Sequence, residues 1–332
     1  MEATIRTENL SRMYVTRDKA RRRIVALNQV NLEVHPGELF GVLGPNGAGK
    51  TTLIKILTTL LTPSSGRAWV LGYDVERQYR RIRPFINMVS GGETSGYGLL
   101  TVYENLWMFA QFYGLPTDVA RRRIHALAER VGLVDRLNTK VSELSTGLRQ
   151  KVNVVRGFLT DPLVLFLDEP TLGLDVQAAR DVRAFVKEWM AEHPNRTLVL
   201  TTHYMLEAEE LCDRIAIIHR GRIVACDTPA ALKQRLPQQA SFRIEIAFQG
   251  EFSPAYLGNL PGVRRVWVRK TPRGAHLDVY LEADEVLVRV LEALLQHQAR
   301  VLSLEKRTPT LEDVFLHLVG ETWDPDDQEQ AA

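Results

Sequence analysis

A chain of 332 residues is long enough for about two domains at ~150 residues each, and 45% hydrophobic with 25% charged residues excludes a disordered or fibrous chain. Lys and Arg number 42 against 40 Asp and Glu, a formal charge of +2. That leaves no global field to draw nucleic acid or anionic lipid, and no nucleic-acid partner is expected. The two cysteines, Cys212 and Cys226, exclude a disulfide framework and point to a reducing cytoplasm.

The strongest apolar run, Leu163 to Leu167, is a strand's length, far short of the ~20 residues that span a bilayer. Met1 to Asn9 alternates charged and apolar residues, without the apolar stretch of a secretory signal. Short strands are predicted near Ile5 to Leu10, Asn31 to Val34 and Leu39 to Leu43. From Thr101 to Thr160 the pattern turns helical. Thr101 and Glu104 form a capping box, Leu106, Phe109, Ala110 and Tyr113 share one face, and Ile124, Leu127, Ala128 and Val131 repeat the spacing. Strands resume at Leu163 to Leu167, Thr197 to Thr201 and Arg214 to His219, so a helical subdomain is inserted in an α/β core.

After about Leu236, Phe242, Ile244, Ile246 and Phe248 alternate strictly, and Val263 to Val268 and Leu277 to Leu281 read as further half-buried strands. Val286 to Leu295 reads as a helix, and Thr310 caps another whose stripe of Leu311, Val314, Phe315 and Leu318 ends at Gly320. The expectation is an α/β domain over 1–236 (helical subdomain about 95–160), a small α+β domain over 237–320, and a disordered acidic tail over 321–332.

Gly44 to Thr51 reads Gly-Pro-Asn-Gly-Ala-Gly-Lys-Thr, the phosphate-loop pattern G-x-x-x-x-G-K-[ST] between a predicted strand and a predicted helix, Thr52 to Leu60. Gly44, Asn46, Gly47 and Gly49 let consecutive backbone N–H groups turn inward, and the helix start adds partial positive charge. Lys50 brings a cation to the β- and γ-phosphates, Thr51 a hydroxyl for Mg²⁺, and Thr52 continues the cradle. Leu163 to Leu167 runs into Asp168 and Glu169, two carboxylates at a strand end. Asp168 suits a magnesium site and Glu169 a general base for attacking water; a solvated acidic turn is the competing reading of these residues.

With both motifs in place, residues from about Thr4 to Leu236 resemble the ATP-binding cassette family. Leu144-Ser145-Thr146-Gly147-Leu148-Arg149-Gln150 looks like its signature sequence, Leu172-Gly173-Leu174-Asp175 like its D-loop, and Thr202-His203 like its switch histidine. Tyr14 stands where the family sets an aromatic ring against adenine, an ordinary buried tyrosine being the other reading. The resemblance implies a phosphate-loop nucleotide-binding fold that binds ATP with Mg²⁺ and hydrolyses it. Glu169 and His203 would be catalytic, while Ser145, Gly147, Gln150 and Asp175 would face nucleotide. Two identical chains would sandwich two ATP molecules, and a separate membrane permease would bring the chain to the cytoplasmic face of the membrane, docking around Gly92 to Tyr103.

The chain departs from that pattern twice. Where the family usually carries a glutamine, after Ile86 to Gly91, this chain has Gly92 followed by Glu93, which makes Glu93 a candidate oxygen ligand for Mg²⁺. Thr146 stands where the signature commonly has glycine. The segment Thr308 to Leu316 resembles the tail of cassette ATPases serving bacterial exporters of the drug-resistance, antibiotic and sodium-efflux kind. The alternatives are a soluble cassette protein that remodels ribosomes or DNA and a phosphate-loop kinase. One phosphate loop and no heptad array weigh against the first, and the second would need neither Ser145, Gly147 nor His203.

Overall fold

The computed structural model describes residues 3–15, 22–91, 96–192, 194–236, 240–248, 255–271, 274–307 and 309–320. Glu93, Gly92 and the acidic tail lie outside the described residues, as does most of the basic run after Tyr14. The chain divides into two compact units, residues 1–229 and 230–320.

The larger unit runs β1 (Ile5–Val15), β2 (Arg23–Val34), β3 (Leu39–Leu43), α1 (Lys50–Leu57), β4 (Ser65–Val70), β5 (Tyr73–Asp74), α2 (Tyr79–Ile82) and β6 (Ile86–Ser90). Three helices follow, α3 (Val102–Phe112), α4 (Thr117–Arg130) and α5 (Thr146–Phe158). The unit continues with β7 (Val164–Asp168), α6 (Val176–Glu192), β8 (Thr197–Thr202), α7 (Met205–Leu211), β9 (Arg214–His219) and β10 (Arg222–Asp227).

These strands form an antiparallel sheet ordered β2-β1-β4-β5 and a six-stranded sheet ordered β10-β9-β3-β8-β7-β6. In the latter β9, β3, β8, β7 and β6 are parallel and β10 is antiparallel. Every residue of β7 is buried, which is why Val164 to Leu167 is an unbroken apolar run and not an alternating one. Helix α1 shares one core with both sheets. Its Leu53, Ile54, Ile56 and Leu57 are buried together with Ile5, Val34 and Val70 of the first sheet and Phe40, Phe166 and Val199 of the second. Each such side chain contributes about 1.5–3 kcal/mol on full burial, so α1 and the loop before it are gripped from two sides.

The helical segment starts at the expected capping box: the Glu104 N–H donates to the Thr101 hydroxyl at 3.2 Å, and the Thr101 N–H to the Glu104 carboxylate at 2.8 Å. Helix α5 is carried close to β6 by Gly157, where an added Cβ would stand 2.1 Å from Val89 Cγ2. Next to it Phe158 meets Phe185 and Trp189 of α6 edge-on, with ring centres 4.6 and 4.9 Å apart.

Helix α8 (Pro229–Gln234) leads into the smaller unit: β11 (Ala240–Ala247), α9 (Ala255–Gly258), β12 (Val263–Thr271), β13 (Gly274–Leu281), α10 (Val286–Gln296), β14 (Arg300–Arg307) and α11 (Leu311–Val319). Its antiparallel sheet is ordered β12-β13-β11-β14, the split βαββαβ arrangement. Ile244, Ile246, Leu277 and Val279 form its core with Val290 and Leu294 of α10. Helix α11 opens on a Thr310–Asp313 capping box and closes at Gly320, whose φ of 74° is the left-handed cap glycine favours.

Sequence periodicity did not announce β14, α6 or the β4–β5 pair. Strand β14 is an exposed edge, and Arg300, Glu305, Lys306 and Arg307 break the alternation that marks a half-buried strand. Helix α1 begins at Lys50, two residues before the expected Thr52.

Gly157→Val is expected to destabilise the protein by about 1–3 kcal/mol, because the branched side chain would overpack against Val89. Urea unfolding of variant and wild type measures the difference.

Candidate functional site

The parallel register sets the site. Leu43 pairs with Thr202, Asp168 with Thr201 and Ser90 with Asp168, so four strands deliver their carboxyl ends to one edge. The chain leaves β3 through Gly44 to Gly49 and turns at once into α1. Gly49 is left-handed, with φ of 108°, and a Cβ there would stand 2.4 Å from the Ala26 carbonyl oxygen, so the cradle admits no side chain at this position. Asn46 and Gly47 lie exposed on the loop.

Lys50 is 4% exposed, and its ammonium donates to the carbonyls of Gly44 at 2.8 Å and Pro45 at 3.1 Å and pairs with the Glu169 carboxylate at 3.0 Å. The buried cation is thereby fully partnered. Asp168, at the end of β7, accepts from the Thr201 hydroxyl at 2.5 Å and the Thr51 hydroxyl at 3.3 Å. A carboxylate and a hydroxyl, both hard oxygen donors, already lie within reach of each other, and this donor set fits Mg²⁺. The competing reading of Asp168 as a solvated turn residue does not hold, since it is 4% exposed.

Glu169 has a left-handed backbone, with φ of 50°, uncommon for a residue carrying a side chain. Its N–H donates to the Thr201 carbonyl at 3.0 Å, and its carboxylate bridges Lys50 and, at 3.1 Å, Nδ1 of the His203 imidazole. Burial pushes the Glu169 pKa up, but the His203 hydrogen bond and the Lys50 charge outweigh it and hold the carboxyl below its ordinary value. An ionised carboxylate beside an imidazole, at the mouth of a phosphate cradle, can take a proton from water.

Glycine is also required beside Glu169. Strand β6 ends at Ser90, and the Gly91 N–H donates to the Asp168 carbonyl at 2.6 Å. An added Cβ at Gly91 would lie 2.0 Å from the Glu169 carbonyl oxygen, so the strand can close on the carboxylate's backbone only without a side chain. Sequence reasoning passed over both Gly91 and Thr201. Parallel pairing of the Thr201-Thr202 step with the Asp-Glu step was the available signal for the threonine.

The remaining expected residues fall in three groups. Tyr14 is exposed rather than an ordinary buried tyrosine. Its hydroxyl is 3.5 Å from the Thr52 hydroxyl and its ring is covered on one face by the Arg12 guanidinium, beside the phosphate loop. Ser145 caps α5 by accepting from the Leu148 N–H at 3.3 Å, and Gly147 follows it. Among the described residues no hydrogen bond or ion pair joins either to the phosphate loop. Gln150 and Asp175 have other partners than expected. Gln150 is buried, and its amide donates to the Pro170 carbonyl at 2.9 Å, a strut between α5 and the turn after Glu169. Asp175 accepts from the Ala178 N–H at 2.8 Å and caps α6. Glu93, the candidate oxygen ligand, lies outside the described residues.

A phosphate cradle, a magnesium-fitting donor pair, a partnered carboxylate–imidazole and a capped signature helix define an ATP-binding cassette. Comparison with known proteins agrees. Residues 27–172 match the ABC transporter family, and residues 228–319 match the C-terminal domain of ATP-binding proteins like DrrA1-3. The daunorubicin resistance ATP-binding protein DrrA2 of Streptomyces coeruleorubidus is 35% identical over 316 residues, covering 92% of this chain and 94% of that protein. The Nod factor export ATP-binding protein I of Cupriavidus pinatubonensis is 35% identical over 296 residues, covering 89% of this chain and 86% of that one. A solved ATP-binding subunit of an ABC transporter superposes with a TM-score of 0.60 at 30% identity, covering 70% of this chain and 92% of that one. The chain belongs to the ABC transporter ATP-binding proteins: it is an ABC ATPase of the exporter type with a DrrA-like C-terminal domain.

Gly91→Ala is expected to lower the ATPase kcat about tenfold or more, because a displacement near an ångström at Glu169 is enough for a loss of that order. Steady-state ATPase kinetics on the purified chain measures it.

Proposed function

We propose that this chain is the ATP-hydrolysing subunit of an exporter, that two copies close around two ATP molecules, and that closure and hydrolysis drive a separate membrane permease. One observation carries the reading: within a single chain the phosphate cradle is complete, while the Ser145 helix start is exposed and, among the described residues, bonded to nothing in that cradle. A helix start with a hydroxyl, a free N–H and a dipole suits an anion, and a second copy related by a twofold axis supplies one. Each nucleotide then touches Lys50 of one chain and Ser145 of its mate.

Lys50 is held by Glu169 and two carbonyls. Triphosphate offers the ammonium a stronger partner, and Lys50 turns to the β- and γ-phosphate oxygens, leaving Glu169 to its imidazole. Glu169 then accepts the proton of the attacking water, and His203 holds that carboxylate in line and steadies the γ-phosphate. Thr51 and Asp168 would hold Mg²⁺, which supplies charge neutralisation on the phosphate oxygens. Tyr14 supports the adenine ring from one side.

No helix among the described residues is long and apolar enough to cross a membrane, so in this reading the bilayer is reached through a permease. A groove of about 480 Å³ lined by Lys55, Thr58, Leu60, Met88, Tyr113 and Arg156 is the seat for the permease's cytoplasmic helix. Leu60 is 65% exposed, and exposed Phe85 and Phe112 adjoin the lining residues Ile86 and Tyr113. Tyr97 and Leu99, in the expected docking segment, are exposed apolar side chains as well. DrrA2 and the Nod factor protein support export over a ribosomal or nucleic-acid task.

Glu169→Gln is expected to bind ATP and accumulate as a dimer in ATP with Mg²⁺, seen as a doubled mass by light scattering after size exclusion; a persistent monomer contradicts the sandwich. Lys50→Ala is expected to lose ATP affinity by at least about tenfold in calorimetry, since it removes the buried cation of the cradle. Chelating Mg²⁺ is expected to abolish hydrolysis.

A further inference from the structure

One buried carboxylate has no part in the chemistry above. Glu207, in the first turn of α7, is 2% exposed. Its Oε1 accepts the Thr171 hydroxyl hydrogen at 2.8 Å, and its Oε2 has no hydrogen-bond partner among the described residues. Burial pushes its pKa up. An apolar side chain beside Ala208 and Leu211, which are buried on the same helix, would fold at less cost than a half-satisfied acid.

Where the two ends of this hydrogen bond lie gives it a purpose. Thr171 is two residues beyond Glu169, in the turn where the Leu172 N–H donates to the Glu169 carbonyl at 3.2 Å. Glu207 is four residues beyond His203, in the helix that β8 enters through a turn closed by the Tyr204 N–H on the Thr202 hydroxyl at 2.9 Å. The bond therefore joins the segment that carries the carboxylate to the segment that carries the imidazole. Glu169 needs such support, because its left-handed backbone persists only where its surroundings impose it. Gln150 holds the same turn from the α5 side through the Pro170 carbonyl.

We propose that Glu207 is a positioning residue for hydrolysis: its buried hydrogen bond with Thr171 fixes the Glu169 turn against the switch-histidine turn and so sets the 3.1 Å contact between Glu169 and His203. This rests on the reading of Glu169 as the base. The bond acts on geometry at the reacting end of the site and leaves the phosphate cradle alone, so its loss falls on kcat and not on ATP affinity. Because the Thr171 bond needs only an accepting oxygen, which the amide oxygen of glutamine supplies, a glutamine retains the function.

The test is steady-state ATPase kinetics on the full chain for Glu207→Ala, Glu207→Gln, Thr171→Val, the Glu207→Ala/Thr171→Val double variant and Glu169→Gln. Thermal unfolding gives the folded fraction of each. Glu207→Ala and Thr171→Val are each expected to lower kcat about tenfold with KM for ATP within about twofold of wild type. Glu207→Gln should stay within about threefold of wild type, and the double variant should be no slower than its slower parent. If Glu207→Ala does not fold, the near-isosteric Thr171→Val removes the same bond from the other end. Wild-type kcat in Thr171→Val, losses that multiply in the double variant, or a glutamine variant as slow as the alanine one would each overturn the proposal. Wild-type kcat in Glu169→Gln would instead overturn the reading of the base.

Discussion

Parallel pairing of β3, β8, β7 and β6 is the constraint on which the site depends. Parallel strands all end at the same edge, so one register brings together a loop after Leu43, a carboxylate pair after Leu167, a histidine after Thr202 and a glycine after Ser90. The four segments are far apart in sequence, and none could be moved singly. A slip of one residue in β7 would turn Asp168 away from Thr201 and Thr51 and put its neighbour in its place. Burial on both faces of β7 fixes that register, which makes the apolar run the structural reason the two carboxylates meet the cradle.

The edge is built from buried polar and charged groups that partner one another. Lys50, Glu169, Asp168 and His203 are all mostly removed from water, a situation that is expensive unless each has a partner. Lys50 takes two carbonyls and one carboxylate, Glu169 takes a cation and an imidazole, and Asp168 takes two hydroxyls. The hydroxyls satisfy its oxygens without bringing a competing charge, an arrangement that fits a divalent cation. An arginine in their place would occupy the carboxylate permanently.

The sequence was most legible where one short segment carries the whole signal. The phosphate loop needs only its own glycines, lysine and flanking elements, and the capping boxes at Thr101 and Thr310 need only residues three apart. Residues whose role depends on a distant strand were illegible. Gly91 matters because of Glu169, 78 positions away, and Gln150, expected to face nucleotide, turns inward because the Pro170 carbonyl lies where only the fold can put it. Strand β14 escaped for another reason: edge strands carry charges that protect them from mispairing, and those charges erase the alternation by which strands are recognised.

The contacts around Glu169 compete for one carboxylate. Lys50 holds it from one side, with the Gly44 and Pro45 carbonyls as the lysine's other partners, and the His203 imidazole holds it from the other. A phosphate carries more negative charge than a carboxylate and is the stronger partner for an ammonium. In the proposed reading, nucleotide in the loop therefore draws Lys50 toward phosphate and loosens its hold on Glu169, which couples the carboxylate to the occupancy of the loop through one lysine side chain.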